Sequence, residues 1–157
     1  MNFYIYDTKI GKITIKEDDG IIKKITFGVE SQGNYLETEV IKNTFLQIDE
    51  YLSGKRKFFS IEYNYKLTEF QNRVLMECLN VGYGKTISYK ELAEKINNPK
   101  AVRAVGQALN KNPLPIIIPC HRIIGKNGKL TGFAGGVSIK ESLLCLENAS
   151  FEADGVK

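Results

Sequence analysis

Apolar and polar positions alternate with a period of two along the first 27 residues. FYIYD and KITIKE read as two strands around a short turn, and Asp18-Asp19-Gly20 then turns the chain into IIKKITF. From about 37 to 53 the period changes: Val40, Ile41, Phe45, Ile48 and Leu52 fall at helical spacing, and Gly54 supplies a stop. Lys55-Arg56-Lys57 leads into FFSIEYNY, strand-like again. The pattern predicts a small antiparallel sheet with one helix over residues 1–62.

The rest of the chain reads as mainly helical. Three capping boxes, Thr68 with Gln71, Ser88 with Glu91 and Ser138 with Glu141, predict helices over 69–80, 89–96 and 139–148. Pro99 fits the first position of a fourth helix, 99–110, with Asn98 as its cap. Two short helices joined at Asn97-Asn98 predict a helix-turn-helix, and a hairpin turn at Asn127-Gly128 would be its wing. The fold class expected is α/β (α+β): a sheet-and-helix domain at 1–62, then a helical domain at 66–150. Ser150–Lys157 reads as a frayed tail.

Composition narrows the class. A chain of 157 residues, 43% hydrophobic and 25% charged, belongs with globular domains. No apolar run is long enough to span a bilayer, and MNFYIYDTKIGKITIK has no basic region followed by an apolar one. Three cysteines without a CxxC pair argue against a disulfide scaffold, and cysteines this scattered, with one histidine, are not expected to close a common structural zinc site by Cys and His alone. A soluble intracellular protein is expected. The net charge of +4 is uneven: residues 1–65 carry 9 Lys/Arg against 10 Asp/Glu, whereas 85–129 carry 9 against 2. Such a segment suits a polyanion, or a merely solvated surface.

Candidate chemistry lies in that basic segment. Pro113, Pro115 and Pro119 frame Ile116-Ile117-Ile118, expected as a short buried extended piece that delivers Cys120 with little slack. Cysteine reacts as thiolate, so its proton must be removed or its pKa lowered, and the only histidine, His121, is adjacent. Neighbours in an extended segment point apart, so a bridging water is the expected link. Cys78 and Cys145 sit on apolar helix faces and read as inert core thiols. GKNGKLTGFAGG follows, with glycines that permit close backbone approach to a ligand. On helix 99–110, Val102, Val105 and Leu109 form an inward stripe, while Arg103, Gly106, Gln107 and Asn110 face outward on a slim helix.

The string PIIIPCHRIIGKNGKLTGFAGG, with GKTISYKELA, NPKAVRAVGQAL and NKNPLP before it and KESLLCLE after it, resembles the O6-alkylguanine-DNA alkyltransferase family over about residues 66–148. The resemblance implies direct, irreversible, single-turnover transfer of the alkyl group from O6-alkylguanine in DNA to Cys120, with O4-alkylthymine left open. It implies no cofactor and no metal, a double-stranded DNA partner, no membrane, a monomer and a cytoplasmic location. Cys120 would be the acceptor and His121 its base through water, oriented by Glu147. Asn112 would hold the active-site turn, and Tyr89 would donate a proton to the leaving guanine. Arg103 would replace the flipped base in the stack, with Ala101, Gly106, Gln107 and Arg122 also at DNA. Cys120, Ile123, Phe133, Ala134 and Gly135 would hold the base. Phe133 stands where Tyr is common, Ala134 where Ser is, Gln107 where Gly is and Ser142 where Trp is. The alternatives are a lesion-sensing or winged-helix DNA-binding protein without transfer, and, more remotely, a Cys–His hydrolase.

Overall fold

The computed structural model describes residues 1–149. The chain forms two compact units, Met1–Lys66 and Leu67 onward. The architecture is α+β. The tail at Ser150–Lys157 lies outside the described residues.

In the first unit β1 (Asn2–Thr8), β2 (Gly11–Asp18) and β3 (Ile21–Phe27) form an antiparallel meander. Asp19 and Gly20 close its second hairpin, both with positive φ (54° and 79°), the requirement of a two-residue primed turn. A two-residue strand, β4 (Asn34–Tyr35), joins the far side of β1 in parallel, so the order is β3-β2-β1-β4. β4 was not legible in the sequence. It depends on Gly33 at φ 114°, where a Cβ would stand 2.3 Å from the Met1 carbonyl oxygen. Helix α1 (Glu39–Leu52) is capped by Thr38 and buries Ile41, Ile48, Tyr51 and Leu52; Phe3, Ile13, Ile15, Ile22 and Ile25 of the sheet are buried with them.

The expected last strand, FFSIEYNY, does not form. It makes one bridge, Tyr63 with Ile22. Upstream of the bridge the Gln47 side chain of α1 captures Ser60 in both directions: Nε2 donates to its carbonyl at 3.1 Å and Oε1 accepts its N–H at 2.9 Å. Backbone groups satisfied by a helix side chain are no longer available to a sheet edge.

In the second unit α2 (Glu69–Cys78) and α3 (Tyr89–Lys95) begin with complete capping boxes at Thr68/Gln71 and Ser88/Glu91. The fourth helix differs from expectation. α4 spans Val102–Asn110, and Asn98 does not cap it. The Asn98 N–H donates to Ala93 O (2.9 Å) and the Asn97 N–H to Glu94 O (3.0 Å), with Asn97 at φ 61°. This is a Schellman closure of α3, so Asn98 ends the preceding helix. Pro99 lies in the turn that follows. α3, this turn and α4 make the helix-turn-helix, and α4 packs on both α2 and α3. Val105, Ala108 and Leu109 face inward; Val102, expected there, is exposed.

The last helix, α5, runs Val137–Leu146 from Gly136, whose φ of 96° breaks the chain ahead of Ser138. Ser138 is therefore inside the helix and caps nothing. β5 (Ile87–Ser88) pairs in parallel with β6 (Ile123–Ile124). The expected turn at Asn127-Gly128 is present with both residues at positive φ, and the Gly125 N–H donates across it to Lys129 O at 2.6 Å. Ladder strands do not extend from it, so the expected wing is a turn without a hairpin. No helix among the described residues is long and apolar enough to cross a membrane.

Candidate active site

The proline-framed segment is stiff, but it is not extended. Ile116 has φ 76°, an outlier for a β-branched residue that costs on the order of 1–3 kcal/mol. Surrounding bonds hold it there. Asn112 Nδ2 donates to Ile118 O (2.9 Å), Asn112 Oδ1 accepts the Leu114 N–H (2.9 Å), and the Ile118 N–H donates to Leu114 O (2.8 Å). Pro119 at φ −79°, ψ 62° then makes an inverse γ-turn, closed by the Cys120 N–H on Ile118 O at 2.7 Å. Cys120-His121-Arg122 follow as one turn of 3₁₀ helix, whose successive side chains splay in different directions.

Cys120 points to a small pocket that it shares with Tyr89, Asn112, Phe133 and Ala134, together with Leu109, Asn110, Pro115 and Gly132. Burial pushes the Cys120 thiol up, while hydrogen bonding from Asn112 and the charge of Lys140 oppose that rise. A buried thiol of this kind needs a base before it can react near neutral pH.

His121 is fully buried, and its Nε2 lies 2.8 Å from Glu147 Oε2. A carboxylate accepts only, so Nε2 carries the hydrogen and Nδ1 is left as the basic nitrogen. Glu147 is the C-cap of α5, buried at 3% exposure, and it serves more than the histidine. Arg122 Nε donates to its Oε1 (2.9 Å), Arg122 Nη2 to its Oε2 (3.0 Å) and the Gly84 N–H to its Oε1 (3.2 Å). Burial lowers His121 and Glu147 opposes, with Arg122 and Lys140 adding to the lowering.

Arg122 is thus a correction to the sequence reading. It is 8% exposed, its third donor goes to Val81 O at 2.8 Å, and it stands 5.7 Å from the centre of the Tyr83 ring. It is not at a surface that DNA could reach. Cys145 is a second correction: it is exposed, because Lys140, Leu143 and Leu144 take the inward face of α5. Cys78 is buried as expected, and burial pushes its thiol far up.

Lys140 is the residue that the sequence reading missed. It is fully buried, and its Nζ donates to Ile123 O (2.6 Å), Thr131 O (3.0 Å) and the Tyr89 hydroxyl (3.3 Å). Burial pulls it down to about 8. The Tyr89 hydroxyl in turn donates to Thr131 O at 2.9 Å, and burial raises Tyr89. One signal was available: Lys140 stands three and four residues before Leu143 and Leu144, on the apolar stripe rather than off it.

Arg103 and Gln107 are exposed on α4 and Gly106 is half-buried beside them, Ala101 is the half-buried N-cap residue of that helix, and none of the four lines the Cys120 pocket. Ile123 and the half-buried Gly135 do not line that pocket, and the Ile123 carbonyl already accepts from Lys140. Among the described residues no group of His, Cys, Asp and Glu side chains could hold a metal ion.

Comparison with known proteins agrees across both units. The family model described as 6-O-methylguanine DNA methyltransferase, DNA binding domain, matches residues 69–149, and that of the ribonuclease-like domain of the same family matches residues 1–65. A methylated-DNA–protein-cysteine methyltransferase of Methanosarcina acetivorans is 41% identical over 95% of this chain and 99% of its own length. The constitutive one of Bacillus subtilis is 39% identical over 97% and 99%. The crystal structure of Mycobacterium tuberculosis OGT in complex with DNA superposes with a TM-score of 0.88 at 35% identity, covering 94% of this chain and 93% of that one. Sequence, fold and the buried Cys-His-Glu arrangement therefore agree: the chain belongs to the 6-O-methylguanine DNA methyltransferase family.

Proposed function

We propose that this protein repairs DNA by moving the alkyl group from O6 of an alkylated guanine in a duplex onto Cys120, once per molecule. The observation that carries this reading is a single buried cysteine at a pocket, with a carboxylate-oriented imidazole as its neighbour. His121 Nδ1 takes the thiol proton through a water. Cys120 Sγ then attacks the alkyl carbon, the carbon–O6 bond breaks, and its electron pair passes into the guanine ring. The Tyr89 hydroxyl turns from Thr131 O to protonate N3 of the leaving base. The thioether stays on the protein and no step regenerates the thiol, which makes the transfer irreversible.

The cavity above Cys120 holds about 10 Å³, room for roughly one water, so a purine needs its lining residues to give way. The base must also leave the stack, and Arg103 on the slim surface of α4, with Ala101, Gly106 and Gln107, would occupy the gap in the minor groove. Phe133, Ala134 and Gly135 would close over the base, and the backbone of Ala134, which lines the pocket, would read its edge; the backbone groups of Ile123 are already bonded to Lys140 and Cys120. The unit at 66–150 then carries DNA binding and alkyl acceptance, and the unit at 1–62 serves as its companion. A monomer acting in the cytoplasm fits this role.

Incubation with duplex DNA carrying labelled O6-methylguanine tests the reading. Label should reach the protein to a one-to-one limit, on the peptide containing Cys120, and Cys120→Ser should abolish transfer while keeping DNA binding. Label on Cys78 or Cys145, or repeated turnover, would overturn it. Arg103→Ala should slow repair of duplex far more than transfer from free O6-benzylguanine (where the pocket admits it), since only the duplex requires unstacking at a few kcal/mol. Equal slowing of both substrates would remove the base-flipping role.

A further inference from the structure

In a carboxylate–imidazole pair the carboxylate raises the proton affinity of the ring, and a buried ring facing a lone carboxylate tends toward imidazolium. An imidazolium cannot accept the thiol proton. Here the carboxylate is not alone. Arg122 grips both oxygens of Glu147 with two of its nitrogens, the fork geometry that matches an ionised carboxylate, and its third goes to the Val81 carbonyl. The guanidinium follows directly on the histidine in sequence and shares the Oε2 oxygen with it. The pair facing the ring is thus close to neutral in sum.

We propose that Arg122 is a positioning residue for the transfer: by clamping and balancing Glu147 it fixes the carboxylate as a hydrogen-bond acceptor while keeping His121 an uncharged base. This deepens the reading of the site given above and rests on it, since a neutral ring matters only if His121 accepts the thiol proton. Burial is the main cause that lowers His121, Glu147 opposes it, and the charge of Arg122 adds a smaller lowering in the sense the proposal requires. The other charged or titratable groups about this cluster are Glu147 and Lys140 from α5, Cys120 of the turn itself, Cys78 from α2, Tyr89 from α3, and Tyr83 beneath the guanidinium. Of the cations in that set, Arg122 alone is bonded to the carboxylate that orients the ring.

Because the chain has one histidine, imidazole NMR reports His121 without ambiguity. In the intact wild-type protein the ring should stay neutral at neutral pH, with the hydrogen on Nε2 and a midpoint below the usual value of about 6.5. Arg122→Met should raise the midpoint by about one pH unit or more, and the acid limb of the transfer rate should move up with it, leaving the rate less affected in mild alkali. Arg122→Lys, which keeps the charge, should stay within about half a unit of wild type. A purely structural arginine would instead lower the melting temperature and the rate at every pH without moving the midpoint. That outcome, or a wild-type ring already charged at neutral pH, overturns the proposal, and Arg122→Gln repeats the measurement if Arg122→Met fails to fold. The titration needs no DNA. The expected titration without alkyl transfer would count against the repair reading alone.

Discussion

Each unit buries a lysine, and the two are held in opposite ways. Lys16 on β2 is 6% exposed and pairs with Glu30, whose other oxygen accepts from Thr26 at 3.1 Å. The Glu30 N–H donates to Thr14 at 3.1 Å, so the ion pair ties the segment after β3 back onto the sheet. Lys140 on α5 is fully buried, and its bonded partners are two carbonyls and a phenol, all neutral. A buried charge with a counterion is a fastening. One with only neutral acceptors costs stability, and such groups concentrate where chemistry is done. The first unit therefore has its charge balanced locally. The second holds an uncompensated ammonium against the tyrosine that would protonate the leaving base.

The largest difference should appear on removing a carboxylate from each unit. Glu147→Ala leaves Arg122 buried without two of the three bonds described above and His121 unoriented, at a cost of about 3–5 kcal/mol. Transfer should fall about 100-fold or more in whatever fraction remains folded. Glu30→Ala acts on a side chain that is 28% exposed and screened by water. Its expected cost is about 1–2 kcal/mol with no change in transfer per folded molecule. Urea unfolding and single-turnover rates measure both, and a transfer defect in Glu30→Ala would break the contrast.

The lysines sharpen it. Lys140→Met should slow transfer about tenfold while changing stability by no more than about 1–2 kcal/mol, since relief of an uncompensated buried charge offsets the loss of a donor to the Ile123 carbonyl. Lys16→Met should lower stability by about 1–2 kcal/mol and spare the rate. The pH dependence has a definite sign. Lys140 loses its proton at about 8 when folded, and an unfolded lysine does so near 10.4. Between those values the unfolded chain binds more protons, so stability rises with pH there, by on the order of 3 kcal/mol. Transfer should decline over the same interval as the ammonium disappears. Comparing wild type with Lys140→Met isolates this from the tyrosines, and parallel curves would show that Lys140 is not the group.

Much of the fold was legible because local signals agreed with tertiary needs. Thr68/Gln71 and Ser88/Glu91 open helices as their pattern requires, and Asp19-Gly20 closes its hairpin. Ser138/Glu141 has the same spacing yet caps nothing, because Gly136 starts the helix before Ser138 is reached. Asn98 was misread because a residue between two helices can close one or open the next, and the pattern does not say which. At the site, Cys120, His121, Glu147, Asn112 and Tyr89 came from a motif, and the structure brings them around one turn. Lys140 goes unnoticed and Arg122 is assigned to DNA for a common reason: a cation in sequence is read as facing outward unless its acceptors are known, and theirs are backbone carbonyls and a carboxylate remote in sequence.

The smallest expected effects lie at the helix starts. Thr38 accepts the Ile41 N–H at the head of α1 with ψ at 164°, and Thr68 and Ser88 do the same for α2 and α3 at ψ 161° and 162°. Each should cost about 1 kcal/mol on replacement by alanine, through one unsatisfied backbone donor. α4 enters differently. Ala101 has ψ 29°, and its own N–H is bound to Asn98 O at 3.0 Å, so the chain arrives already turning. A hydroxyl placed there would not lie over the first-turn N–H groups as the extended caps do. Ala101→Ser should therefore leave the melting temperature unchanged, where the same alanine-to-serine exchange at an extended cap position would raise stability by about 1 kcal/mol. A clear gain for Ala101→Ser would mean that the entry to α4 relaxes to the extended form, and that the slim surface carrying Arg103 is set by sequence there rather than by the Schellman closure of α3.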